Sequence, residues 1–264
     1  MKNIFKSIGW LVLNVFLQFV VGTAYTAVFI ASTGTKDDSV INEYINNNVF
    51  MVTCISNLLF VLIASIICKA KKLKIKEEWK ANKASVKEYI FPCIIAFAYS
   101  FCYAMLTYNP VANSTAMTHK GVEYYGSFGI PMMILALLIS APVTEEIMCR
   151  GIMMNTLKCS FSSRTAIILS AVIFGAMHIM AGGFALVIGG IIMGLIFGVV
   201  YEKTNSIYVA IAAHIIANAP DFILYSSPQI TNGLRYTLAA VSLIICVACA
   251  VVWFKRCNAE RKAG

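Results

Sequence analysis

The sequence is poor in charge. Only 12% of its 264 residues are Asp, Glu, Lys or Arg, against 59% hydrophobic. A soluble domain carries about twice that charged fraction. Histidine is scarce too, with only His119, His178 and His214. No His-Glu-x-x-His occurs, and no paired Cys-x-x-Cys motifs at loop spacing, so the common zinc signatures are absent. Nine cysteines are present, most of them inside apolar runs, where they read as small buried hydrophobes rather than a disulfide framework. The net charge of +9 does not point to nucleic acid, because the positive residues sit in short loops between apolar blocks.

What is abundant is long uncharged apolar sequence, with a mean hydropathy of +0.78. The blocks predict an all-α polytopic membrane protein of eight spans: 7–35, 49–68, 89–107, 126–157, 165–180, 184–201, 206–225 and 236–254. The first run is too long for the apolar core of a signal peptide and reads as a retained helix. The run 165–201 is too long for one span, and Ala181-Gly182-Gly183 is the expected break. With both termini inside, 17 of the 21 Lys and Arg fall in inner segments and three in outer loops. That asymmetry predicts cytoplasmic termini in a cell membrane. The loop 69–88, with eight lysines, is expected to face anionic lipid. The whole chain reads as one membrane domain. Gly190, Gly194 and Gly198 form a close-packing ridge, either internal or a dimer seam.

Ionisable side chains inside apolar runs cost about 2.5–3.5 kcal/mol each at the bilayer centre, so they mark chemistry or pairing. Three groups stand out: Glu145-Glu146-Ile-Met-Cys-Arg150, Phe174-Gly-Ala-Met-His178, and His214-Ile-Ile-Ala-Asn218. Residues four apart share a helix face, so Glu146 should pair with Arg150, leaving Glu145 free, while His214 and Asn218 point the same way. Pro142 predicts a kink just before the two glutamates. A rise of 1.5 Å per residue puts Glu145, His178, His214 and Asn218 roughly 13–21 Å from the inner edge, near mid-bilayer. His119 lies outside the apolar runs and is not expected to act.

The ordered set Glu-Glu-xxx-Arg, Phe-xxx-His and His-xxx-Asn resembles the CPBP family, which groups CAAX prenyl endopeptidases with bacteriocin-processing and self-immunity (Abi) proteins. The resemblance spans residues 126–222. It implies an intramembrane endopeptidase acting on a membrane-associated peptide or protein. Glu145 would be the catalytic base on a water, and His178 would hold that water. His214 and Asn218 would stabilise the oxyanion, supported by Glu146 and Arg150. Desolvation makes a carboxylate a better base, and preorganised donors in low dielectric stabilise an oxyanion. Zinc is an alternative cofactor, with Glu145, His178 and His214 as ligands. Without a metal, the glutamate acts alone. Two other readings stand beside the protease: a non-catalytic immunity or scaffold protein, and a proton-coupled transporter, for which no inverted repeat is visible. The chain is expected to be bacterial.

Overall fold

The computed structural model describes residues 2–107, 129–225 and 230–263. His119 and the expected break at Tyr108-Asn-Pro110 lie outside them. The described residues are helical, with no strand. We number the helices α1 (Lys2–Thr33), α2 (Asp38–Ala70), α3 (Ile75–Glu78), α4 (Val86–Thr107), α5 (Gly129–Lys158), α6 (Ser163–Ala176), α7 (Ile179–Thr204), α8 (Ile207–Tyr225) and α9 (Asn232–Ala263).

Seven helices among the described residues are long and apolar enough to cross a membrane. The remaining expected span is α6, which has 14 residues and so is about 21 Å long. It is interrupted by a turn at Met177–His178 and continues into the start of α7. The reversal of direction comes later, at Gly183, whose φ of 65° suits a residue without Cβ. Facing contacts agree: Gly198 meets Ile167, Gly194 meets Ala171, and Gly190 meets Gly175, pairs that step toward a midpoint beside Gly183. The glycine ridge is therefore an internal seam between α6 and α7. A Cβ at Gly194 would stand 2.9 Å from the Ala171 Cα, so the backbones can approach only because it is absent.

Around this seam, α4 packs against both α8 and α9, and α1 packs on α2. Four of the five segments assigned to one membrane face touch one another. Asn3 Nδ2 donates to Ser160 Oγ (2.7 Å), Asn82 Nδ2 to the Asn205 carbonyl (3.0 Å), and the Ile207 amide to the Lys80 carbonyl (3.0 Å). The lysine-rich loop after α2 is not merely a lipid-facing segment. Its Trp79 is buried in the core, its ring 3.3 Å from where a Cβ on Gly151 would be. All nine cysteines are free thiols.

Candidate active site

The site starts with irregular helix geometry. α5 is α-helical over Ala141–Glu146 but π-helical on both sides, over Leu135–Ser140 and Ile147–Met154. Pro142 accounts for the first: it has no N–H for the carbonyl of Leu138 and its ring crowds that carbonyl, so the preceding turn widens. One carbonyl in the widened turn is used across the bundle, where Asn218 Nδ2 donates to the Leu137 oxygen at 2.9 Å. The predicted kink thus takes the form of a π-turn that anchors α8.

Glu146 and Arg150 are both fully buried, and Arg150 Nη1 donates to Glu146 Oε1 at 2.8 Å. Arg150 Nη2 donates to the Gly194 carbonyl at 2.9 Å. Its guanidinium lies 4.7 Å above the Phe174 ring and 5.3 Å from that of Phe197, a desolvated cation–π arrangement. The same Glu146 oxygen also accepts from His214 Nδ1 at 2.9 Å. An ionised carboxylate has no proton to give, so the hydrogen must be on Nδ1. Phe197 stacks on the His214 ring, with centroids 4.5 Å apart.

Glu145 has a different environment. Its side chain keeps 22% exposure, and Oε2 stands 3.8 Å from His214 Nε2. His178 is half-buried at the turn between α6 and α7, and its Nδ1 donates to the Phe174 carbonyl at 2.8 Å. That leaves His178 Nε2 as an acceptor. Phe174 lies between the two histidines, 4.9 Å from the ring of His178 and 5.6 Å from that of His214. The three motifs from α5, α6 and α8 therefore converge laterally around Phe174. Three contributors were not singled out from the sequence: the Gly194 carbonyl, Phe197 and the Leu137 carbonyl. Gly194 and Phe197 lie three residues apart on α7, on one face, which was the available signal.

Residues 127–220 match the profile described as type II CAAX prenyl endopeptidase Rce1-like. Over this segment the chain is similar to type II CAAX prenyl endopeptidases of the Rce1-like family. A relative in Bacillus subtilis (strain 168), named "Putative membrane peptidase YdiL", is 32% identical over 116 residues. That match covers 44% of this chain and 46% of the relative, so the chain is matched over about half of the relative's length. No solved structure matches the chain significantly.

Within this matched segment, the zinc alternative requires Glu145, His178 and His214 to act as one ligand set. Among the described residues no three His, Cys, Asp or Glu side chains cluster to hold a metal ion. The side chains as placed do not fit a metal site.

Proposed function

We propose that this chain is an intramembrane endopeptidase that hydrolyses a peptide bond of a membrane-associated peptide or protein. The family match over the core supports the peptidase class. The observation that carries the mechanism is the separation of two adjacent carboxylates. Glu146 is fully enclosed and shared by Arg150 and His214, while Glu145 stays partly exposed beside His214 Nε2.

Glu145 takes a proton from a water, and His178 Nε2, its lone pair directed by the Nδ1 bond to Phe174, accepts the water's second hydrogen bond. The hydroxide adds to the substrate carbonyl. His214 stands throughout as an imidazolium, its Nδ1–H held by Glu146 and its Nε2–H directed at the developing oxyanion, and it neither gains nor loses a proton in the cycle. Asn218 uses one amide hydrogen on the Leu137 carbonyl and has the other for the same oxyanion. Collapse breaks the C–N bond, and Glu145 returns its proton to the departing amine. These steps use only side chains of this chain.

The test is cleavage of a peptide library by purified, reconstituted protein. Glu145→Gln should lower kcat/KM by about 10²–10⁴-fold, and His178→Ala by a comparable factor, with activity kept in chelator. Cleavage that survives Glu145→Gln would overturn the mechanism. Activity lost in chelator and restored by zinc would turn the histidines from hydrogen-bonding groups into ligands.

A further inference from the structure

α8 carries one ionisable side chain that this mechanism does not use. Asp221 lies within the span Ile207–Leu224, two turns beyond His214. Among the described residues it has no ion-pair or hydrogen-bond partner. It is solvent-accessible, three residues from the end of that span. An ionisable side chain in a span normally faces a cavity or a partner of opposite charge.

Its position points to the reaction centre. His214, Asn218 and Asp221 follow i, i+4, i+7 spacing and fall on one face of α8. The rise from His214 to Asp221 is about 10.5 Å. Tyr103 of α4 lies within electrostatic range of Asp221. The same ring fits against Gly189, where a Cβ would come within 2.6 Å of it, and a Cβ at the adjacent Gly190 would lie 3.5 Å from His178 Nδ1. Asp221 thus sits at the outer side of the site, next to the segment that holds His178.

We propose that Asp221 is a specificity residue that binds a cationic side chain, Lys or Arg, of the peptide substrate. This rests on the peptidase reading. An extended chain advances about 3.3 Å per residue, so the cation falls about three residues from the scissile bond. A charge-assisted hydrogen bond to such a cation is worth about tenfold in affinity, by rough conversion.

The experiment moves a single Lys, Gln or Glu through the positions flanking the scissile bond of a cleaved peptide. The readout is the Lys-to-Gln ratio of kcat/KM within each variant, which cancels differences in folded fraction. Wild type should prefer Lys about tenfold at one position about three residues from the bond. Asp221→Asn should bring that ratio to near one, Asp221→Glu should keep it, and Asp221→Lys should favour Glu. Equal rates for Lys and Gln at every position, or a preference that survives Asp221→Asn, overturns the proposal. If wild type cleaves no peptide, the peptidase reading fails separately. Binding of fluorescent Lys and Gln peptides to wild type and Asp221→Asn then reads Asp221 directly, and equal affinities for the two peptides overturn it.

Discussion

Two places in the molecule use the same charge arrangement, one carboxylate shared by two basic side chains, in opposite surroundings. At one end of the bundle Glu202 is paired with Lys158 and, at 3.5 Å, with Lys80, and its side chain is 29% exposed. In the bundle centre Glu146 is shared by Arg150 and His214 with no exposure at all. Water solvates whatever Glu202 leaves unpaired. Nothing solvates Glu146, so every compensation must be built from the protein: a helix-backbone carbonyl from Gly194 and the faces of Phe174 and Phe197. Even so, Glu146 Oε2 and Arg150 Nε find no partner among the described residues. Such a group serves poorly as a stability device, because desolvation offsets most of the attraction. Its use here is orientation: it holds the Nδ1–H of His214, and so fixes what Glu145 meets.

The comparison breaks hardest at Arg150. Arg150→Met leaves Glu146 ionised and enclosed with only His214 for a partner, and should cost about 3–5 kcal/mol. Equilibrium unfolding in mild detergent reads this directly. The double variant Arg150→Met with Glu146→Gln removes both charges and should recover much of that loss. Peptide cleavage should not recover, since His214 no longer faces a carboxylate. If cleavage returned together with stability, Glu146 would be a strut and not a positioning residue.

A smaller effect is expected one step outward, at Gly194. Its carbonyl receives Arg150 while its missing side chain lets α6 approach, with Ala171 Cα 2.9 Å from the would-be Cβ. That neighbour is backbone and cannot rotate away. Gly194→Ala should therefore cost about 1–3 kcal/mol and lower activity through displacement of Arg150. An unchanged unfolding midpoint would mean the seam can open without loss.

Much of this arrangement was legible because it is local. The Glu146–Arg150 pair and the shared face of His214 and Asn218 are consequences of helical spacing, and the break near Gly183 is a property of glycine. The apolar blocks placed most helices to within a few residues, but α2 starts at Asp38, well before the expected 49, and α9 runs to Ala263, well past the expected 254. What could not be read is lateral. That His214 bonds Glu146 as well as approaching Glu145 depends on how far α8 is rotated against α5, which no spacing encodes. The π-turns were foreseen only as a kink. Trp79 gave a signal that was passed over: an indole among eight lysines is out of place in a lipid-facing loop, and it proves to be packed against Gly151.

The exposed member of the comparison yields the smallest effects. Glu202→Gln removes one surface-level carboxylate and should cost at most about 1 kcal/mol, a difference that shrinks as salt is raised. Its sharper consequence is for pH. Burial, followed by the nearby charge of Lys158, holds Lys80 below the ordinary lysine range, while Glu202 opposes that depression. The unfolded chain therefore binds a proton at Lys80 more tightly than the folded one does. Stability should rise with pH from the folded-state value up to about 10.4, the ordinary lysine value, and level off above it. Lys80→Met should flatten that rise. Glu202→Gln, by removing the charge that keeps Lys80 protonated, should start the rise at lower pH. Unfolding midpoints across the alkaline range, measured for the three proteins, test both shifts; a slope that persists in Lys80→Met would assign the titration to another group.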